Sequence, residues 1–173
     1  MQWASKLEVL QYTGLTSINQ FGPTFAIDGE VSNKNHLFFH SELEMHPWLE
    51  VKFPFPVLIS CVTIINRKDS CWNRVRNVEV RAGMTLVPEE FTARDRGHHS
   101  NKKLEVSTRR GRLEGRPGRG FVSEGHTIVF DRPTLARYIT LQILEKQFLR
   151  IKGLKINRDD LLNHKEPFLK ERK

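Results

Sequence analysis

The sequence predicts an all-β fold, a sandwich of antiparallel strands, and three observations support this prediction. Short runs rich in Val, Ile and aromatic residues recur along the chain, and none of them shows sustained helical periodicity. Three of the runs alternate apolar and polar positions, as a strand does when one of its faces lies on a core. Turn-forming Gly, Pro, Asn and Asp residues separate the runs.

Six segments have this strand character, namely 49–53, 58–65, 75–81, 121–130, 138–144 and 149–156. The turns between and before them fall at 21–23, 28–29, 54–56, 116–118 and 131–133. Because proline cannot donate a hydrogen bond to a strand ladder, we expect the turns that contain it to end strands rather than interrupt them.

A chain of 173 residues fits one domain, which we place at residues 1–156, followed by a polar, mixed-charge tail at 157–173. A domain of this size can bury a sizeable core without cross-links or metal, and eleven Phe and three Trp supply apolar area. No run approaches the ~20 apolar residues that a membrane helix needs, so membrane insertion is not expected. The opening residues 1–6 lack the basic and then apolar pattern of a secretory signal.

Cysteine is scarce, since only Cys61 and Cys71 are present. Two cysteines exclude a disulfide framework and a zinc site built on cysteine, and they favour two unpaired thiols over one disulfide. The adjacent pairs His98-His99, Glu89-Glu90 and Asp159-Asp160 lack partners at the spacing that metal binding or acid–base catalysis requires. The sequence therefore predicts no enzyme and no catalytic residue.

The net charge of +8 comes mostly from residues 94–119, which hold nine Lys or Arg residues against three acidic residues. Scattered charge and few apolar residues predict a long surface loop over 94–120, with a short strand at 103–106. Such a loop is typically a solvated face, and its alternative role is a patch that binds sulfated glycan or phosphate. Nucleic acid is not an expected partner, because the rest of the chain is near neutral.

The segment 66–74 leaves an apolar strand and carries two arginines, Arg67 and Arg74, together with Asp69. Two guanidinium groups in one short loop repel each other unless an acid or a ligand lies between them. Asp69 can orient one of them, and the hydroxyls and ring oxygen of a neutral sugar can accept hydrogen bonds from the rest. The alternative is a purely structural network in which the arginines pair with Asp69 and Glu79.

The spacing of His40, Arg67-x-Asp69 and Arg74 resembles the sugar-binding motif of the F-type lectins, the fucolectin family. Ordered flanking blocks at 26–29, 47–53, 77–81 and 136–141 also resemble that family, so the resemblance extends over residues 14–156. It implies an eight-stranded jelly-roll β-sandwich of the discoidin-like, or F5/8 type C, kind.

The resemblance also implies a function, the recognition of terminal L-fucose or a similar sugar. His40, Arg67 and Arg74 would be the contacts, and Asp69 would hold the arginines. Phe38, Phe39 or Trp72 would form the apolar wall for the methyl group of the sugar. Fucosylated glycans or glycoproteins would be the partners, a homo-oligomer would supply avidity, and the location would be extracellular.

The sequence departs from the family at two places. The adjacent cysteine pair of family members reads Ser70-Cys71 here, so the disulfide that contacts the sugar cannot form. The family's structural calcium would take Asp28 and the carbonyls of Phe25 and Glu30, but the late Cys-Glu pair reads Lys152-Gly153. This change removes a carboxylate and adds a cation, so the alternatives are a weakened calcium site and replacement of the ion by Lys152, and no cofactor is expected to be required.

Two rival functions remain open besides sugar recognition. One is a discoidin-like protein-interaction module that has lost sugar binding, because a fold does not fix a function. The other is polyanion binding through residues 94–119, for which salt dependence would be steep.

Overall fold

The computed structural model describes residues 2–3, 8–12, 21–30, 37–67, 75–86, 108–113 and 125–158. In this part of the chain there are eleven β-strands and a 3-10 helix. They are β1 Gln2–Trp3, β2 Glu8–Tyr12, the 3-10 helix Pro23–Ala26, β3 Phe39–His40, β4 Glu44–Met45, β5 Trp48–Ile65, β6 Val78–Gly83, β7 Thr108–Leu113, β8 His126–Ile143, β9 Lys146–Gln147, β10 Arg150–Ile151 and β11 Gly153–Arg158.

All of the strand pairs are antiparallel. The main ladder runs in the order β1-β11-β5-β8-β6-β7, with β2 paired to β5 as well. Two further pairs, β3 with β10 and β4 with β9, lie outside that ladder. The prediction of an all-β antiparallel sandwich is confirmed.

The pairing of β5 with β8 organises the two layers, because both strands have 18 residues and pair almost end to end. A straight strand of 18 residues would be about 60 Å long, which exceeds the width of a domain of this size. Pairing stops where residues 53–56 of β5 lie opposite residue 137 alone, and again where residues 130–133 of β8 lie opposite residue 60 alone. At these bulges the strands can bend.

The second neighbour of β5 changes at the same place. Residues 49–52 pair with β2, whereas residues 59–65 pair with β11. A strand that changes neighbour at a bulge passes from one layer of a sandwich to the other. The prediction that the proline turns 54–56 and 131–133 end strands is therefore wrong about the strands, which continue, although the pairing does stop there.

Four other predicted boundaries differ from the structure. The segment 75–81 forms β6 only from Val78 to Gly83, and the segment 149–156 is divided into β10 and β11 by Lys152. The strand β11 extends to Arg158, two residues into the predicted tail. The predicted loop 94–120 contains β7, because residues 108–113 pair with β6, while the strand predicted at 103–106 lies outside the described residues.

The core lies between the layers and is built from the inward positions of the strands. Trp48, Leu49, Val51, Phe53 and Ile59 of β5 are completely buried, and so are Ile139, Leu141 and Ile143 of β8. The burial of Trp48 agrees with its prediction as a core residue. No helix in the described ranges is long and apolar enough to cross a membrane, and Cys61 on β5 is a free thiol.

Gly125 directly precedes β8 and has a backbone conformation that favours glycine. Its φ is +83°, and an added Cβ would lie 2.7 Å from the Ile64 carbonyl oxygen and 2.8 Å from a Thr63 methyl carbon. We expect Gly125→Ala to lower the free energy of unfolding by about 1–3 kcal/mol in urea titrations, because a side chain is strained there. Val129→Thr is the control, since Val129 is 71% exposed; equal stability of both variants would contradict this account.

Candidate functional site

The short pair β3–β10 positions the candidate site. Phe39 lies opposite Ile151 and His40 lies opposite Arg150. Phe39 and Ile151 are both completely buried in the hydrophobic core. Because successive strand residues point to opposite faces, anchoring Phe39 and Ile151 turns His40 and Arg150 away from that core.

Ser41 continues the pairing and fixes the strand end. Its main-chain N–H donates to the Leu149 carbonyl at 3.0 Å. Its hydroxyl oxygen accepts from the Leu149 N–H at 2.9 Å and donates to the Glu42 carbonyl at 2.8 Å. The backbone next to His40 is therefore held by three hydrogen bonds.

Aromatic rings surround the His40 imidazole. The ring centroids of Phe148, Phe21 and Phe38 lie 5.0, 5.2 and 5.8 Å from that of His40, each in a tilted arrangement. His40 is 6% exposed as a result. Tilted rings at such distances are a favourable aromatic geometry, so the imidazole is packed in a defined orientation.

The hydrogen bond of His40 defines its tautomer. Nδ1 lies 2.6 Å from the main-chain carbonyl oxygen of Ser41. A carbonyl can only accept, so Nδ1 carries the proton and Nε2 of the neutral ring is the acceptor nitrogen. Burial and the charges of Arg150 and Arg67 lower the pKa of His40 to about 4, although main-chain hydrogen bonds partly oppose them. The imidazole is therefore neutral at physiological pH.

Arg67 lies two residues beyond the end of β5 at Ile65. Its main-chain N–H donates to the side-chain oxygen of Asn66 at 2.7 Å, which turns the chain out of the strand. Its guanidinium carbon lies 3.9 Å from the centroid of the Phe38 ring. This cation–π contact holds the planar guanidinium over an aromatic face and leaves its edges for hydrogen bonds.

The structure thus brings together two of the predicted contacts, His40 and Arg67, which share Phe38 between them. Arg74, Asp69 and Trp72 lie outside the described residues, so their roles stay predictions. The prediction that Phe39 could form the apolar wall for the sugar is wrong, because Phe39 is completely buried in the core.

Glu79, which the alternative structural network would pair with Arg67 or Arg74, has a different partner in the structure. Glu79 is 2% exposed, and its carboxylate accepts a hydrogen bond from Nε of Arg81 at 2.7 Å. Both residues lie on β6, two positions apart. Arg81 of the same strand therefore neutralises the Glu79 carboxylate. This ion pair weakens the view that Arg67 and Arg74 serve to neutralise it.

Sequence reasoning missed Arg150, Phe21 and Phe148. Arg150 is 6% exposed, and its guanidinium carbon lies 5.0 Å from the centroid of the Phe148 ring. Its position between the apolar Leu149 and Ile151 could have identified Arg150 as a candidate site residue, because a buried arginine needs a specific environment. The two phenylalanines carried no such sign, since their neighbours in the sequence do not include His40.

The residues expected to bind calcium form a turn at the surface. Oδ1 of Asp28 accepts from the main-chain N–H of Glu30 at 2.8 Å, and Gly29 between them has a φ of 81°. The Lys152 ammonium lies in the field of both carboxylates. No group of three or more His, Cys, Asp or Glu side chains that could hold a metal ion occurs in the described ranges. A cation beside Asp28 does not suit a hard dication.

Comparison with known proteins identifies the fold that carries this site. No protein-family model matches the sequence, and no curated protein matches it. Solved structures do match. A serum F-lectin (fucolectin) from striped bass, Morone saxatilis, is 22% identical with a TM-score of 0.68, and the match covers 88% of this chain and 47% of that chain. The present chain thus spans about half the length of that lectin.

Two further structures match over most of their own length. The lectin domain of lectinolysin, solved with Lewis B antigen, is 17% identical with a TM-score of 0.65 and matches over 90% of this chain and 95% of its own. A fucose binding module of Streptococcus pneumoniae is 18% identical with a TM-score of 0.57 and matches over 89% of each chain. The chain has the discoidin-like β-sandwich fold of these lectin modules.

The depressed pKa of His40 predicts a pH dependence of stability. The folded state favours the neutral ring, so this contribution is complete above pH 6.5 and is lost as the pH falls towards about 4. The shift from 6.5 to about 4 corresponds to a loss of up to about 3 kcal/mol.

Urea unfolding of the wild type and of His40→Gln between pH 7 and pH 4 measures this loss. We expect the stability of the wild type to fall more steeply than that of the variant, which has no titrating ring. Parallel pH profiles would show that His40 is not the group responsible.

Proposed function

We propose that the protein binds terminal L-fucose, or a sugar of similar shape, through His40, Arg67 and Arg74, and that it catalyses no reaction. The observation that carries this proposal is the pair formed by the neutral His40 imidazole and the Arg67 guanidinium, both packed against Phe38. One of these groups offers an acceptor and the other offers several donors.

A sugar with adjacent hydroxyl groups meets both needs. The guanidinium donates in a planar fork, which matches two neighbouring oxygen atoms such as a hydroxyl and the ring oxygen. Nε2 of the neutral imidazole accepts from a hydroxyl hydrogen. Because Nδ1 is already engaged with the Ser41 carbonyl at 2.6 Å, the ring cannot exchange these roles. The donors and the acceptor of the site therefore suit a neutral polyol.

The apolar part of the ligand would contact an aromatic ring. Phe21 and Phe148 are half-buried and lie beside His40. Both keep some surface, unlike Phe38 and Phe39, which are 4% and 0% exposed. The methyl group of a 6-deoxy sugar such as L-fucose would lose contact with water against either ring.

The structural comparisons support the sugar class. The matching structures include a protein named a fucolectin and a module named fucose binding. Those names belong to those proteins, and this chain shares their fold. They are the reason to name fucose among the sugars that could satisfy the same donors and acceptors.

Affinity for a single sugar is expected to be modest. Among the described residues of the site, His40 is 6% exposed and Phe21, Arg67 and Phe148 are half-buried, so they offer little surface to a ligand. A small polar ligand that buries little surface gains little beyond the cost of its immobilisation. Biological binding would then depend on several copies acting together on a fucosylated glycan or glycoprotein.

Replacement of Arg67 tests the proposal. Arg67→Ala should lower affinity for L-fucose at least tenfold, because a hydrogen bond to a charged group contributes about 1.5–3 kcal/mol. Arg67→Lys keeps the charge but loses the planar fork, so it should bind more weakly than the wild type. Titration followed by NMR measures both.

Arg132→Ala is the matched control, because Arg132 is an exposed arginine of β8. It should bind L-fucose as the wild type does. Unchanged binding in Arg67→Ala would contradict the site. Absence of sugar binding in the wild type, with recovery of a protein partner, would favour the protein-interaction module. Binding only to sulfated glycans, lost at high salt, would favour residues 94–119.

A further inference from the structure

Lys152 occupies an enclosed position between β10 and β11. The residue is 3% exposed. Its main-chain N–H donates to the Ile65 carbonyl at the end of β5 at 2.9 Å, and Nζ donates to the Leu37 carbonyl at 2.7 Å. A buried ammonium is costly unless acceptors surround it, so such a lysine requires a local reason.

Two carboxylates, those of Asp28 and Glu30, act on this ammonium through their charge. Loss of hydration lowers the pKa of Lys152, and the charges of Asp28 and Glu30 act in the opposite direction. Loss of hydration raises the pKa of Asp28, which its hydrogen bond from Glu30 and the charge of Lys152 partly offset. Asp28 and Lys152 thus stabilise each other's charged forms.

The ammonium contacts a main-chain carbonyl and lies in the field of two carboxylates, and oxygens of these kinds are also the ligands that a hard cation prefers. An ammonium also satisfies such a set, since it offers three donors and one positive charge. With the ammonium in place, a dication beside Asp28 would be repelled by its positive charge.

We propose that the Lys152 ammonium is a built-in structural cation, which ties the Asp28–Glu30 turn to Leu37 and to the end of β5 in place of a metal ion. The protein then needs no calcium and binds none at this turn. The consequence reaches the candidate site as well, because Leu37 directly precedes Phe38 and lies three residues before His40.

The wild-type protein gives the first test. Its Tm is expected to be the same in excess EDTA and in millimolar calcium chloride, and calcium addition should release no binding heat in calorimetry. A Tm that falls in EDTA and recovers with calcium would overturn the proposal. This comparison requires no variant, so it stays decisive even if the substitutions below impair folding.

Substitutions at position 152 give the second test. Lys152→Met keeps an unbranched chain without the charge, and it should lower Tm by roughly 5–10 °C, because the Leu37 carbonyl loses its donor and Asp28 and Glu30 lose a nearby positive charge. Lys146→Met is the control, since Lys146 is exposed on β9, and its Tm should not change. Equal Tm values for both variants would contradict the assignment.

Lys152→Glu reverses the charge and supplies a further carboxylate to Asp28, Glu30 and the Leu37 carbonyl. We expect this variant to be unstable in EDTA and to gain stability with calcium, as measured by the shift of Tm. Terbium luminescence should appear in this variant and not in the wild type. Terbium bound to the wild type at the same turn would overturn the proposal.

Discussion

The candidate site depends on one short strand pair, β3 with β10, in which Phe39 faces Ile151 and His40 faces Arg150. Both apolar members are completely buried, so the hydrophobic effect fixes the register of the pair, and a shift by one residue would move His40 into the core. Every contact of His40 follows from this register, including the bond to Ser41 and the three aromatic neighbours.

The cations at this end of the sandwich form two groups. Arg150 lies with Arg67 near the imidazole, where both charges help to keep His40 neutral. Lys152 belongs to the other group, because its ammonium donates to the Leu37 carbonyl and lies in the field of Asp28 and Glu30. Three successive residues thus supply one cation near His40, one core contact and one cation near the Asp28–Glu30 turn. The segment 37–40 contacts both groups, through the Leu37 carbonyl and through Phe38.

Sequence patterns predicted the fold class, and the burial of Trp48 in particular, because strand alternation and apolar content are local properties. The resemblance to the F-type lectin motif also paired His40 with Arg67. The continuous strands β5 and β8 could not be predicted, since proline within a strand is tolerated only where a bulge removes the need for its hydrogen bond. Phe39 and Phe38 are neighbours of similar chemistry, and only the register of β3 decides which is buried in the core. Phe148 and Phe21 approach His40 through tertiary folding, which leaves no local trace.

The central claim is that a neutral His40, protonated at Nδ1 and placed beside Arg67, contacts a sugar. The most direct measurement is ¹H–¹⁵N NMR of the His40 imidazole during addition of L-fucose. The account predicts that the Nδ1-protonated form is present before and after addition, that the Nε2 resonance shifts as the sugar binds, and that Arg67→Ala abolishes the shift. An imidazole whose resonances do not move while L-fucose binds, or a ring protonated at Nε2, would contradict it.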